Sequence, residues 1–273
     1  MSPKPAISVI ICSINAGKFA RVSDCYRHLL ADYPFEIIGI HDAKSLAGAY
    51  NAAMQRATGD ILIFSHDDIL ILDDQFANKI VDRLKDYDLL GFAGTSRLID
   101  GVWSSAGQPH IHGVISHAKT GSPRLTLDIF GVGQWPVVDG IQAMDGVCLI
   151  TRRDVAEKIG FDALRFDGFH HYDADFSFAA HLTGFRLGVC CDIPLIHESS
   201  GVFGSDDHQK YEARFRDKYR DVLPECIARP PQGPAAGRGA PLADSDAVLR
   251  AWQPEILKRA TVAMRRQFAA PSA

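Results

Sequence analysis

The sequence predicts an α/β fold with a mostly parallel sheet, helices on both faces and a helical C-terminal extension. Three observations predict it. Short apolar runs rich in β-branched residues recur through the first 95 residues, each followed by a stretch of helical periodicity. The runs are continuously apolar rather than alternating, as in strands covered on both faces. The spacing between them fits crossover connections, and these favour parallel, right-handed units.

The elements follow in order. Ile7–Cys12 is the first strand and Phe19–Leu30 the first helix. Glu36–Ile40 is a second buried strand. Leu46–Ala57 is an Ala-rich helix, stopped by Gly59. Asp60–Phe64 is a third strand, Phe76–Leu84 a helix and Leu89–Ala93 a fourth strand. Between Gly94 and Val138, glycines and prolines break the pattern into strands and long loops, the kind of segment that covers a site. Order returns with the strand Val147–Thr151 and the helices Asp154–Ile159 and Phe169–His181, the latter closed by Gly184. Arg186–Cys191 and Ile193–Ile196 are short strands, and Tyr211–Tyr219 is a mixed-charge helix.

This divides the chain into a main domain over residues 1–205, a helical segment 206–228, a Pro/Gly/Ala-rich linker 229–243 and an amphipathic helix 244–273 restarted at Pro254. The tail carries five basic and three acidic residues from Asp244 onward, with Leu249, Trp252, Ile256, Ala260, Met264 and Phe268 at helical spacing. Docking onto the main domain or a second copy of the chain is the preferred reading. Contact with an anionic membrane surface is the alternative.

Composition excludes several classes. The chain has 273 residues, 47% hydrophobic and 23% charged, which rules out wholesale disorder and a disulfide miniprotein. The net charge of −4 argues against a broad nucleic-acid-binding face. The six cysteines form no Cys-x-x-Cys pair, and four of them lie in apolar runs, so buried reduced thiols are expected rather than a zinc site. No run reaches the roughly 18 apolar residues of a membrane span, and the N-terminus lacks a cleavage pattern. The expectation is a cytoplasmic protein, with peripheral contact at the inner face of the membrane as the further option.

Ligands of parallel α/β sheets bind beyond the carboxyl ends of the strands. Ser13, Ile14 and Asn15 follow the first strand, His41 and Asp42 the second, and Ser65, His66, Asp67 and Asp68 the third. Any one of these reads as a turn signal. Together they deliver polar groups to one edge. Adjacent carboxylates at the end of a buried strand repel each other. They become tolerable around a divalent cation, and hard oxygen ligands suit Mg²⁺ or Mn²⁺. The chain has neither a G-x-x-x-x-G-K-S/T phosphate loop nor a G-x-G-x-x-G fingerprint.

On these residues the sequence resembles the family 2 glycosyltransferases of the GT-A fold, a Rossmann-like architecture, over roughly residues 6–200. Ser13-Ile14-Asn15 resembles the family's first nucleotide-binding turn, Asp42 its base-reading Asp, and Ala49-Tyr50-Asn51 its helix-borne Asn. His66-Asp67-Asp68 matches the Asp-x-Asp region, which implies Asp68 as metal ligand and Asp67 near the nucleotide. Met144-Asp145-Gly146 resembles the segment near donor sugar and acceptor. Tyr172-Asp173-Ala174-Asp175 resembles the acidic helix start, which implies Asp173 as the base. His197 matches a histidine that binds metal in some members. Two departures stand out: His66 replaces the first acid of the triplet, and Tyr172 replaces the usual Glu before the base. This variant resembles a bacterial branch of the family.

The resemblance implies an inverting glycosyltransferase using Mn²⁺ or Mg²⁺. It would move a sugar from a nucleotide diphosphate-sugar donor to a hydroxyl of a glycan, lipid-linked glycan or protein. Asp173, at a helix start, is expected to stay ionised by the helix dipole. Asp175 reads as a helix cap and His170-His171 as a pair facing solvent. Trp103, Trp135 and Phe130 read as sugar-stacking or core residues. A sugar-nucleotide-binding module without turnover is the main alternative. A nucleotidyltransferase ranks lower, because Ser13-Ile14-Asn15-Ala16-Gly17-Lys18 is a thin version of its phosphate loop. A glycoside hydrolase is disfavoured by the nucleotide-like strand ends.

Overall fold

The structure, a computed structural model, describes residues 3–118, 125–131, 136–193, 195–198 and 205–223. The linker 229–243, the helix 244–273, Cys226 and Trp135 lie outside the described residues. The elements in chain order are β1 (Ile7–Cys12), α1 (Ala16–Leu29), β2 (Phe35–Ile40), α2 (Leu46–Met54), β3 (Ile61–Ser65), β4 (Ile69–Ile71) and α3 (Phe76–Arg83). There follow β5 (Leu89–Gly91), β6 (Ala93–Thr95), β7 (Ile111–Ala118), β8 (Leu125–Gly131), β9 (Val137–Val138), β10 (Ala143–Met144) and β11 (Cys148–Arg152). The last are α4 (Arg153–Ile159), α5 (Tyr172–Leu182), β12 (Leu187–Cys190), β13 (Leu195–His197) and α6 (Asp206–Lys218).

The main sheet runs β2-β1-β3-β11-β5-β12-β9. The pairs β1–β2, β1–β3 and β5–β12 are parallel, as expected. The strand β11 corrects the parallel expectation locally, because it enters between β3 and β5 antiparallel to both. A second sheet, β10-β6-β7-β13-β4 with β8 on β7, is built largely from the Gly/Pro-rich stretch. The run expected as one strand over Leu89–Ala93 divides at Phe92, giving β5 to the first sheet and β6 to the second.

The central strands β1 and β3 are mostly apolar because both faces are covered. Ile7, Val9 and Ile11 of β1 and Ile61 and Ile63 of β3 face Val22, Tyr26 and Leu29 of α1 and Phe76 and Ile80 of α3. Ile10, Leu62, Phe64 and Leu149 face the other way, into a core shared with α2, α4, α5 and α6. The middle of that core is aromatic. Phe161 stacks on Phe176 with centroids 4.3 Å apart, and Tyr50 lies 5.0 Å from Phe64 and 5.7 Å from Tyr172.

Side-chain caps set three helix starts. Asn15 accepts from Lys18 N at 3.0 Å, which starts α1 before Phe19. Ser45 accepts from Gly48 N at 3.1 Å, and Ser205 from His208 N at 3.2 Å. Helix α6 belongs to the same core as the sheet: Tyr211, Phe215 and Tyr219 are buried in it.

Asp175 does not cap α5. It is buried, and it accepts from Lys218 Nζ at 2.6 Å and Tyr219 Oη at 2.7 Å, which ties α5 to α6. Lys218 also pairs with Asp162 at 2.9 Å. Removing one partner of a buried pair costs roughly 3–5 kcal/mol, and Lys218 keeps Asp162, so Asp175→Ala is expected to cost about 3 kcal/mol. Urea unfolding checks this; a change below about 1 kcal/mol would refute the anchoring role.

Candidate active site

Four chain segments converge at the carboxyl edge of β1 and β3. The adjacent carboxylates after β3 diverge to different partners. Asp67 Oδ2 accepts from Ser13 Oγ at 2.6 Å, and Ser13 Oγ accepts from Asn15 N at 3.2 Å. Asp68 turns the other way. Its Oδ1 lies 3.3 Å from His197 Nε2 and 3.9 Å from His66 Nδ1, and its Oδ2 lies 3.2 Å from Lys18 Nζ. Strand pairing explains the meeting with His197: β4 begins just after Asp68, and β13 pairs with it antiparallel with His197 opposite Ile69. Glu198 N donates to Asp68 O at 2.8 Å and closes the junction.

His66, Asp68 and His197 each offer one ligand atom, and these lie within 4.8 Å of one another. Two imidazoles and one carboxylate, mutually close and mostly sheltered, fit a divalent ion. Burial alone pushes the Asp68 carboxyl up, but the hydrogen bond and charge of His197, with His66 and Lys18, hold it well below the usual carboxylate range. Burial, reinforced by His197, lowers His66.

Across the cleft, Asp173 sits in the first turn of α5. Gly146 N donates to its Oδ2 at 2.7 Å. A Cβ at Gly146 would lie 2.3 Å from Tyr172 Oη and 2.8 Å from Asp173 Cβ, so only glycine permits this approach. Burial and the charge of Asp145 push the Asp173 carboxyl up to about 7, against the ionisation expected from the helix dipole. Asp145 accepts from Val147 N and Trp103 Nε1, both at 2.8 Å.

An open cleft of about 260 Å³ joins these groups. His66, His197, Asp145, Tyr172 and Asp173 line it together with Trp103, Phe169, His170, His171 and His208. His171 is buried, contrary to the solvent-facing expectation. It precedes α5 in a left-handed backbone conformation (φ 61°), which turns the chain into the helix three residues later than Phe169. Both its ring nitrogens are buried without a hydrogen-bond partner, and burial, with His208, pushes it down to about 4.

The other sequence candidates fall outside the cleft lining. Asp42 is exposed after β2, next to His41, whose Nδ1 lies 2.8 Å from Ser13 O. Asn15 caps α1. The Asn51 amide is engaged at both ends, donating to Phe161 O at 2.7 Å and accepting from Phe161 N at 3.0 Å. One N–H and one lone pair of that amide are used in this pair. The structure adds Lys18 and Tyr172 to the site; the only sequence signal for them was proximity to the motifs.

This sheet, with a His/Asp/His group able to hold a metal at its carboxyl edge, defines a glycosyltransferase-like α/β protein of the GT-A class. The sequence pattern of the glycosyltransferase-like family matches residues 8–219, and the chain belongs to that family. No curated protein is similar enough in sequence to match. Among solved structures, GalNAc-T7 with UDP, GalNAc and Mn²⁺ is similar at a TM-score of 0.55 and 12% identity, over 91% of this chain and 55% of that one. The chain therefore spans about half the length of that protein. The mannosyltransferase PcManGT from Pyrobaculum calidifontis, with GDP-Man and Mn²⁺, has a TM-score of 0.44 at 15% identity, covering 100% of this chain and 77% of that one. TarS of S. aureus has 0.43 at 13%, covering 93% and 72%.

Two predictions follow from this geometry. Gly146→Ala drives a methyl into Tyr172 and Asp173 and is expected to destabilise by about 1–3 kcal/mol, read by urea unfolding; a neutral outcome would refute the close approach. His112, like His171, is buried and pushed down to about 4. Below the ordinary histidine value of 6.5 the unfolded chain takes up protons that these two refuse. Stability is therefore full above about pH 6.5 and falls toward pH 4, by up to about 1.4 kcal/mol per pH unit for each histidine. Replacing His171 with Gln should flatten that slope in pH-dependent melts, and an unchanged slope would refute its share.

Proposed function

We propose that the protein is an inverting, metal-dependent glycosyltransferase. It would move a sugar from a nucleoside diphosphate-sugar to a hydroxyl of a glycan, lipid-linked glycan or protein. One observation carries the reading: a single cleft is lined both by histidines of the His66–Asp68–His197 triad and by Asp173. Family membership supports the class of chemistry, and the UDP, GalNAc and Mn²⁺ in the GalNAc-T7 structure support this type of donor and metal.

In this reading His66, Asp68 and His197 hold a divalent ion, Mn²⁺ or Mg²⁺ on the sequence expectation. When bound, it supplies Lewis-acid stabilisation to the departing diphosphate. Ser13, Asn15, Asp42 and Asp67 face the nucleotide, and the Lys18 ammonium opposes the phosphate charge. Asp145 and Gly146 border the sugar. Asp173 takes the proton of the acceptor hydroxyl as that oxygen bonds to the anomeric carbon and the bond to diphosphate breaks on the opposite face. A carboxyl near 7 suits a base working near neutral pH. Trp103, Phe169 and the three histidines bound the acceptor side.

The test pairs binding with turnover. Melting temperature is measured with UDP, GDP, CDP and dTDP, each with Mn²⁺, Mg²⁺ or EDTA. A ligand at 100 times its dissociation constant stabilises by about 2.7 kcal/mol. One metal-dependent rise is expected, abolished in Asp68→Ala. Asp173→Asn should retain it and lose at least about a hundredfold in transfer or donor hydrolysis. Wild-type rate should climb with pH and level off above about 7, because the base acts only when deprotonated. Binding without turnover in the wild type would leave a binding module; no rise with any pair would overturn the donor site.

A further inference from the structure

We infer that Tyr172 is a positioning residue that holds His66 as the third metal ligand, making a two-imidazole, one-carboxylate centre that prefers Mn²⁺ and later first-row ions to Mg²⁺. The inference rests on the metal-dependent reading above and goes beyond it to the selectivity of the centre.

Two of the places where the sequence departs from the family pattern, His66 and Tyr172, are 106 residues apart and touch. His66 Nε2 lies 3.1 Å from Tyr172 Oη. The direction of that bond is fixed when His66 holds an ion through Nδ1, because Nε2 then carries the proton. Tyr172 Oη also lies 3.5 Å from Gly146 O, a carbonyl that can accept the phenol proton in that state. The phenol oxygen is then left to accept, and His66 donates through Nε2–H. A neutral imidazole with its proton on Nε2 has its lone pair on Nδ1. Nδ1 is the nitrogen facing Asp68 Oδ1, and the His66 and His197 rings are 5.6 Å apart. A ligating histidine fixed through its far nitrogen to an oxygen is the usual outer-shell arrangement of metal sites.

Tyr172 is itself enclosed. It is 4% exposed and packed edge-on against Tyr50. His66 and Tyr172 therefore act as one hydrogen-bonded pair at the sheet edge. Replacing a carboxylate by imidazole removes a negative charge and exchanges a hard oxygen for a nitrogen ligand. Mg²⁺ takes oxygen ligands and keeps its waters, whereas imidazole favours first-row transition ions.

The experiment is a Mn²⁺ titration of the full chain followed by the EPR signal of free ion, with Mg²⁺ as competitor, on wild type, Tyr172→Phe and His66→Asp. Melting temperature without metal controls for folding. Wild type should bind Mn²⁺ at least about tenfold tighter than Mg²⁺. Tyr172→Phe should weaken Mn²⁺ binding by about 10–100-fold at an unchanged melting temperature. His66→Asp should narrow the Mn²⁺/Mg²⁺ ratio, and this ratio decides if Tyr172→Phe melts early. Wild type that binds Mn²⁺ while Tyr172→Phe matches it, or while Mg²⁺ competes equally, overturns this inference and leaves the transferase reading standing. Wild type that binds no Mn²⁺ removes the metal centre and the inference together.

Discussion

The close approach of Gly146 to the start of α5 fixes the relation between the two halves of the cleft. Gly146 sits on the turn between β10 and β11, and its missing side chain lets Tyr172 and Asp173 come within van der Waals distance of backbone. From there one hydrogen bond holds the carboxylate of Asp173, and the Tyr172 hydroxyl reaches His66 at the end of β3. The base candidate and the candidate metal ligands are thus registered to each other through a single contact between a turn and a helix start. Precision of this kind needs rigid supports, and the aromatic cluster of Tyr50, Phe64, Phe161, Tyr172 and Phe176 supplies them from below.

Charge is distributed so that Asp67, Asp68 and Asp145 have separate partners. Asp67 faces Ser13, Asp68 faces His197 and Lys18, and Asp145 is held by Trp103. The repulsion expected between Asp67 and Asp68 is relieved by their pointing to different elements. Asp173 is the exception. Its partners are backbone donors, its nearest charge is another carboxylate, and the resulting upward shift is what a proton acceptor near neutral pH requires. The strained backbone and unpartnered nitrogens of His171 lie two residues before it, where the chain is forced from a loop into α5.

Much of the main sheet and the key acids were legible because the information is local. A buried strand needs an unbroken apolar run, and a crossover helix needs periodicity within a dozen residues, so β1 to β3 and their helices read directly from the chain. Asp68 and His197 stood out because they follow apolar runs, and Asp173 because its segment resembles the family's acidic helix start. Local signals carry less elsewhere. The three-residue strand β4 has no pattern of its own beside β3. Asn15 and Asn51 read as nucleotide-binding groups, and no local pattern announces that the first also caps a helix and the second also bridges to Phe161.

The sequence by itself determined the α/β alternation, the two-sided burial of the strands and the list of acids at one edge, since each is written in neighbouring residues. Only the tertiary structure decided the antiparallel entry of β11, the meeting of Asp68 with His197 across β4 and β13, and the bond between His66 and Tyr172. Those depend on contacts between residues up to about 130 positions apart, where loop closure is opposed by chain entropy and rewarded only by the completed sheet. No window of the sequence contains both partners, so the chemistry of the centre emerges only when the sheet is assembled.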